Sequence, residues 1–247
     1  MSSSTVKPRH VLCFLGKNDN LLHPPKAVAK TITDFGFEID RTYSQARPDP
    51  HMERSFGVCW DRVFPLAWSA ADEAAVANHK SVLYVLSPPM ERQKAVAYSG
   101  AALRIVEEMI EAGATAVKGE SAGVAHGLDR WRSLCDQSRK GAMTSQGLGV
   151  TLAMAKACRL AFAKRPLGGT SYYETVGYHL VGLPEVYVAN SRNEWSAVML
   201  MEEIANAMAE HGVDETLRDR KLELSRESRY AEDDFKFNPY GIVHAEA

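Results

Sequence analysis

The sequence lacks any apolar run approaching the ~20 residues that a membrane-spanning helix needs, because charged residues interrupt every hydrophobic stretch. It also lacks an excess of charge of either sign. The 29 basic and 31 acidic residues leave a formal net charge of -2, so no global field attracts nucleic acid or an anionic membrane. Residues 1–9 are polar and serine-rich, without the apolar core of a secretory signal. These absences predict a cytoplasmic protein that binds neither nucleic acid nor membrane.

Motifs for cofactors and metals are missing as well. The four cysteines, Cys13, Cys59, Cys135 and Cys158, are widely spaced and form no C-x-x-C pair, which argues against a zinc knuckle or a dithiol redox site. We expect them to be small buried hydrophobic residues. The chain contains neither a G-x-G-x-x-G nor a G-K-[ST] segment to cradle a phosphate, and no H-E-x-x-H zinc pattern. We therefore expect no cofactor and no metal site.

The composition that remains is that of a globular protein. The chain has 247 residues, of which 45% are hydrophobic and 24% charged, enough for a full core. Its apolar periodicity predicts an α+β fold, with a mixed β-sheet packed against helices in a single compact body. Residues 1–217 would form the globular domain, with a subdivision near 113–150 left open. Residues 218–247 begin as a highly charged tract and end in an apolar cluster, so we expect a polar tail whose end packs back on the body.

The clearest local unit has the order strand, helix, strand, over residues 81–86, 91–112 and 114–117. Its length fits a right-handed βαβ crossover, and an antiparallel ferredoxin-like arrangement is the alternative. Other periodic segments predict helices over 128–136, 148–158 and 194–210, and the first of these could extend over 124–137. Strands are predicted over 160–165 and 171–180, and a strand or an irregular segment over 56–64. Trp195 is expected on the core face of the helix over 194–210.

The segment Gly119-Glu120-Ser121-Ala122-Gly123 spells G-x-S-x-G, the pattern that presents a serine nucleophile between a strand and a helix. A hydrolase would also need an imidazole base preceded by an acid, and His244 is the candidate that follows the downstream aspartates. No H-G-G-G segment supplies a second oxyanion donor upstream. The alternative interpretation is that small residues let a buried strand turn tightly. The catalytic pair Ser121 and His244 belongs to the first interpretation only.

Residues close to this motif form a second set of candidates. Glu120 and His126 could bind a ligand or move a proton, although their spacing is not diagnostic of a metal site, and a hydrogen-bonded histidine is the alternative. Arg130 beside Trp131 could form a local binding surface, and the same pattern fits an amphipathic helix whose tryptophan faces inward. The candidate binding residues are therefore Glu120, His126, Arg130 and Trp131.

Two segments carry a resemblance to a known family. The first is Lys118-Gly119-Glu120-Ser121-Ala122-Gly123-Val124-Ala125-His126, followed by Trp131; the second runs from Thr175 through Val-Gly-Tyr-His-Leu-Val-Gly-Leu-Pro to Glu185 and Val186. Together with the closing Phe-Asn-Pro-Tyr-Gly of 237–241, they resemble the bacterial domain-of-unknown-function 4261 family over roughly 82–212. The resemblance implies an α+β fold. It carries no assigned reaction, and it weakens the hydrolase interpretation.

Three functions follow from these observations. The leading hypothesis is a non-catalytic binding protein with a protein partner, and its most concrete form is a toxin-neutralising or immunity-type role. A serine hydrolase that uses Ser121 is the rival. A small-molecule sensor, with a pocket between sheet and helices, is the third.

Overall fold

The strands form two five-stranded sheets, one from each half of the sequence. The structure, a computed structural model, describes residues 7–59, 68–143, 151–191, 193–226 and 237–245. The first half contains β1 (Val11–Gly16), α1 (Lys26–Asp34), β2 (Glu38–Gln45), α2 (Met52–Gly57), α3 (Ala70–Ala77), β3 (Ser81–Leu86), α4 (Ala95–Glu111), β4 (Ala114–Gly119), β5 (Val124–His126) and α5 (Leu128–Met143). The second half contains α6 (Leu152–Phe162), β6 (Lys164–Gly168), β7 (Tyr172–Val176), β8 (Glu185–Ala189), α7 (Glu194–His211), α8 (Val213–Arg220), β9 (Glu223–Ser225) and β10 (Ile242–Ala245).

The first sheet has the ferredoxin-like arrangement. Its strand order is β2-β3-β1-β4-β5, and β1 pairs antiparallel with both β3 and β4, while β2 pairs antiparallel with β3. Strands β3 and β4, which α4 connects, are therefore parallel but separated by β1. Strand β5 adds an antiparallel edge next to β4. Of the two arrangements considered for this strand-helix-strand unit, the antiparallel ferredoxin-like one is confirmed.

The second sheet is mixed and includes the end of the chain. Its order is β6-β7-β8-β10-β9, with β10 parallel to β8 and antiparallel to β9. The predicted boundary after residue 217 falls inside α8, and β10 lies between two other strands of the sheet. The apolar end of the chain thus contributes to the hydrogen-bonded ladder.

Both sheets share one core. A continuous apolar cluster includes Phe14 of β1, Val117 of β4, Val186 of β8 and Val243 of β10, together with residues of α1, α4, α5, α6 and α7. A smaller cluster on the opposite face of the first sheet packs residues such as Cys13 and Leu15 against α2 and α3. The α+β fold in a single body is confirmed. All four cysteines are free and buried, as expected.

Local patterns explain several element boundaries. Ser69 caps the start of α3: its hydroxyl accepts from the Asp72 N–H, and the Asp72 carboxylate accepts from the Ser69 N–H at 2.9 Å. Asn193 caps α7 in the same way, because its side chain accepts from the Ser196 N–H at 2.9 Å.

Three element predictions were wrong. Residues 124–126 form β5, so the wider helix over 124–137 is wrong at its start, whereas the helix predicted over 128–136 does begin at Leu128. Residues 160–162, expected in a strand, are the last turn of α6. Helix α2 includes residues 56 and 57 of the segment 56–64, which was expected to be a strand or irregular, and 60–64 lie outside the described residues. Each error places a short apolar run, which periodicity alone cannot assign, in the wrong kind of element. Helix α6 begins at Leu152. Residues 148–150 of that predicted helix also lie outside the described range.

Candidate functional site

The G-x-S-x-G segment connects two strands of one hairpin. Gly119 ends β4, residues 120–122 form a single 3₁₀ turn, and Gly123 adopts φ +60 before β5 begins. A nucleophile elbow requires a strand followed by a helix, with the serine raised above the sheet. The turn therefore has the small residues of the motif without its strand-to-helix context.

The Ser121 hydroxyl is bonded to the backbone that leads into β1. It donates to the Arg9 carbonyl at 2.7 Å and accepts from the Val11 N–H at 2.9 Å. His244 lies in β10 of the other sheet, where its Nε2 is 2.8 Å from the Ser225 hydroxyl. The structure therefore does not bring Ser121 and His244 together. Ser121 ties the 119–123 turn to β1, and its one proton is held by a carbonyl.

Glu120 belongs to a charged cluster on the face of the first sheet that α2 and α3 cover. Its carboxylate lies 2.7 Å from the ammonium of Lys118, a side chain only 1% exposed. Lys118 also bonds the Ser55 hydroxyl and lies 5.3 Å from the ring centroid of Phe56. Breaking a buried ion pair leaves a charge without a partner and destabilises a protein by about 3–5 kcal/mol. The ammonium of Lys118 therefore holds the Glu120 carboxylate in place.

Cys13 lies beside this cluster, paired across the strands with Tyr84 on one side and Lys118 on the other. Burial, with a smaller contribution from Glu120, raises the pKa of the Cys13 thiol to about 12. Burial also raises the pKa of Tyr84. Both groups stay protonated at neutral pH, so neither offers the anion that nucleophilic chemistry requires.

The other predicted binding residues lie on the opposite face of this sheet or within the core. Trp131 is completely buried, and its indole N–H donates to the Val117 carbonyl at 3.1 Å. His126 is also completely buried, with Nε2 3.0 Å from the Ala161 carbonyl and its ring edge-on to Trp131 at 4.8 Å. Arg130 is half-buried. Since Trp131 faces the core, this part of α5 packs as an amphipathic helix.

A buried carboxylate organises the segment 175–186. Glu185 is completely buried and accepts from the Thr175 hydroxyl at 2.7 Å and from the N–H groups of Gly177 and Tyr178 at 3.0 and 2.9 Å. The side-chain amide of Asn238 donates to the same carboxylate at 3.0 Å. Two of the segments that carry the family resemblance, 175–186 and 237–241, therefore meet at one side chain.

The third segment meets them at Gly177. This glycine has φ +109, and a Cβ at its position would lie 2.4 Å from the Phe162 carbonyl oxygen and 2.7 Å from the Cβ of Ala122. Only glycine fits both the backbone conformation and the space. The 119–123 turn is thus packed directly against the turn after β7.

A buried histidine and serine form a further polar contact close to this junction. His10 Nε2 lies 2.8 Å from the Ser99 hydroxyl, which donates its proton to the Leu180 carbonyl at 2.6 Å. Burial, with a smaller effect of His179, lowers the pKa of His10 to about 3, so the imidazole is neutral at pH 7. Because the serine proton is already donated, His10 must carry its hydrogen on Nε2 and cannot accept from Ser99. The pair therefore connects elements of the core and does not activate a nucleophile.

A pocket of about 350 Å³ opens between α4, α6, the turn at 181–183 and the junction of α7 with α8. Its lining is mainly apolar and includes two arginines, Arg92 and Arg159. Arg159 is 1% exposed and is held by Glu202 at 2.9 Å and Asn206 at 2.7 Å. Its Nε has no hydrogen-bond partner in the described part of the chain, an arrangement that typically destabilises by about 1–3 kcal/mol. Pockets of this size and lining are the usual form of small-molecule sites.

Sequence reasoning missed the buried charges and misplaced an exposed aromatic. Arg159 stands between the apolar pairs 157–158 and 160–161 of α6, and Glu185 lies between a proline and the apolar residues of β8. A charge flanked by apolar residues is the signal that was available. Trp195, expected on the core face of α7, is 67% exposed. That prediction was wrong, because Trp195 lies with Met199 on the outward side of α7, whereas Ala197 in the same turn is completely buried.

Among the described residues, no group of three or more histidine, cysteine, aspartate or glutamate side chains is arranged to hold a metal ion. None of the described helices has the length and hydrophobicity needed to cross a bilayer. Comparison of the chain with models of known families, with curated proteins and with solved structures finds no match. The resemblance to the 4261 family therefore stays a prediction.

Proposed function

We propose that the protein is a non-catalytic binding protein whose partner is another polypeptide, contacted through the outward face of the first two turns of α7. The observation that carries the proposal is the pair Trp195 and Met199, which are 67% and 53% exposed. Residues four apart lie on the same side of a helix, so the two side chains form one apolar surface. Large aromatic side chains are the most frequent anchors of protein interfaces.

The charge of this helix indicates the kind of partner. Helix α7 contains four glutamates, Glu194, Glu202, Glu203 and Glu210, and no lysine or arginine. Glu194, next to Trp195, is exposed. Glu202 and Glu203 are already paired with arginines of the same chain, each at 2.9 Å. Glu194 therefore supplies the acidic charge beside the aromatic anchor, and it favours a partner whose apolar cleft has a basic residue at its border. A toxin-neutralising or immunity-type protein, which blocks the working surface of such a partner, is the narrower form of this proposal.

The rival hydrolase function has less support. The Ser121 hydroxyl is bonded on both sides to backbone groups, and the imidazole proposed as its base, His244, bonds Ser225. A serine without a base to accept its proton is a weak nucleophile at neutral pH.

The experiment uses the tagged full-length protein as bait in native lysate, followed by identification, purification and titration of any polypeptide that co-purifies. Trp195→Ala should weaken binding of the purified partner by about 2 kcal/mol, close to thirtyfold, and leave the thermal midpoint unchanged. Tyr43→Ala is the matched control, since Tyr43 is 71% exposed on β2, in the other sheet, and its loss should not affect binding.

Three results would contradict the proposal. One is a partner that binds Trp195→Ala as tightly as the wild type. Another is a concentration-dependent dimer that Trp195→Ala abolishes, which would make this surface a contact between copies of the chain. The third is stoichiometric fluorophosphonate labelling that is lost in Ser121→Ala, which would establish the rival function.

A further inference from the structure

The charged side chains that line the pocket between α4, α6 and the junction of α7 with α8 are all positive. Two of its lining side chains are arginines, Arg92 and Arg159, and none is an aspartate or a glutamate. Arg159 is 1% exposed, and its Nε donor has no hydrogen-bond partner among the described residues. Arg92 is exposed and uses its Nε to donate to the Gly182 carbonyl at 2.9 Å. Both guanidinium groups can donate further hydrogen bonds to an acceptor in the cavity.

The charge of the pocket indicates a monoanion. Glu202, which is not part of the lining, pairs with Arg159 at 2.9 Å and balances its charge. The positive charge of Arg92 has no carboxylate partner in the described part of the chain, since its described contacts are a carbonyl and the ring of Tyr240 at 5.2 Å. Arg92, Arg159 and Glu202 together therefore carry one net positive charge, which a single carboxylate would neutralise.

Besides the two arginines, the lining contains the polar residues Gln93 and Thr151. Its other members are apolar and include Val96, Leu183, Met208 and Leu152, the last of which is 50% exposed. A cavity of about 350 Å³ accommodates about a dozen water-sized groups at about 30 Å³ each. A ligand that fits this pocket has one anionic end and an apolar body that covers the apolar part of the lining. We infer that this pocket binds a small amphipathic carboxylate, with its carboxylate on Arg92 and Arg159 and its hydrocarbon part along Val96, Leu183 and Met208.

This site is separate from the surface proposed for a polypeptide partner. Met208 lies thirteen residues after Trp195 on α7, which is about 20 Å along the helix axis. The two proposals can therefore fail independently.

Octanoate is the probe for this inference, with 1-octanol, octylammonium and inorganic phosphate as comparisons, all titrated into the full-length protein by calorimetry and by NMR of the amide signals. Octanoate should bind saturably with one site per chain, at least about tenfold more tightly than each comparison compound, because only it combines the hydrocarbon with a single negative charge. Amide shifts should concentrate on residues of α4, α6 and 181–183.

Two variants locate the binding site. Arg92→Gln retains a donor for the Gly182 carbonyl but removes the charge, and should weaken octanoate binding about tenfold. Arg104→Gln is its matched control, because Arg104 is an exposed arginine on α4, the helix that follows Arg92. It bonds Glu108 at 3.1 Å and lies outside the pocket. Ala209→Phe places a ring in the cavity and should abolish binding while the fold, judged by its amide spectrum, persists.

The inference is overturned if octanoate shows no saturable binding, if 1-octanol binds equally well, or if Arg92→Gln and Arg104→Gln behave alike. Octanoate binding that Ala209→Phe leaves intact would place the ligand elsewhere, and tighter binding of inorganic phosphate would show a site for multiply charged anions. Either outcome also overturns it.

Discussion

Replacing Glu185 with alanine should destabilise the protein more than any surface change, because this carboxylate is completely buried and accepts hydrogen bonds from several elements. Its buried donors are the Thr175 hydroxyl, the N–H groups of Gly177 and Tyr178, and the Asn238 amide. Alanine would leave all of them without this acceptor.

The magnitude follows from the number of donors. A buried donor without a partner destabilises by about 1–3 kcal/mol, so four of them give about 4 kcal/mol even at the lower limit. A domain of this kind is stable by about 5–15 kcal/mol, so the loss is a large share of the total. In a chain of this length it corresponds to a fall of about 10 °C in the thermal midpoint.

Urea unfolding followed by circular dichroism measures this free energy. Glu185→Gln keeps one oxygen acceptor, replaces the other with an NH2 group and removes the charge, so it should destabilise by about 1–2 kcal/mol. Glu91→Ala is the surface control, since its side chain is 59% exposed and pairs with Lys7 at 3.3 Å, and it should change stability by less than about 0.5 kcal/mol. If Glu185→Ala and Glu91→Ala unfold at the same urea concentration, the carboxylate does not organise the junction.

Three further perturbations test the core around this junction. Gly177→Ala should destabilise by about 2–4 kcal/mol in urea unfolding, because φ is +109 and the new Cβ would lie 2.4 Å from a carbonyl oxygen, while Gly168→Ala, with open space around it, should be nearly neutral; equal effects would contradict the packing. Ser121→Ala should destabilise by about 1–3 kcal/mol through its two lost backbone bonds, and an unchanged unfolding midpoint would show that the hydroxyl does not secure β1. Burial lowers the pKa of His10 from 6.5 to about 3. The stability that the neutral imidazole gives the folded protein is therefore complete above about pH 6.5, and it falls by up to about 1.4 kcal/mol per pH unit toward pH 3, because the unfolded chain binds the proton first. His10→Gln should flatten the dependence of stability on pH in this range, and parallel curves for variant and wild type would refute the assignment.

Segments with long and regular periodicity were predictable from the sequence. Helix α7 and strand β3 follow their apolar patterns closely, because a single burial requirement determines every position along them. The hairpin of β4 and β5 was not predictable, since three residues after a turn carry too little pattern to separate a short strand from the start of a helix. The sheet that β10 joins was not predictable either, because β10 pairs with β8, which is far away in sequence.

The burial of individual helix residues was also not predictable from the sequence. Trp195 was grouped with the apolar core residues of α7, but it lies on the outward side of the helix with Met199 and is exposed. Arg159 shows the reverse: a charged residue in α6 is buried because Glu202 and Asn206 of α7 reach it. Periodicity gives the direction of a side chain, whereas burial depends on the neighbouring element, which a single sequence does not specify.

The chemistry of the candidate site was hardest to infer because small residues serve catalysis and packing equally well. In the 119–123 turn, the features that resemble a nucleophile motif have packing explanations: Ser121 bonds the backbone before β1, and Ala122 fits the space left by the absent side chain of Gly177. A larger residue in place of Ala122 or Gly177 would separate the 119–123 turn from the turn after β7. The same contact brings together in space the segments that carry the family resemblance, although they are far apart in sequence. Glu185 holds the second turn in place. It follows that a residue pattern of this kind identifies a function only when the groups that would activate it are also present, and here the described partners of Ser121 are structural.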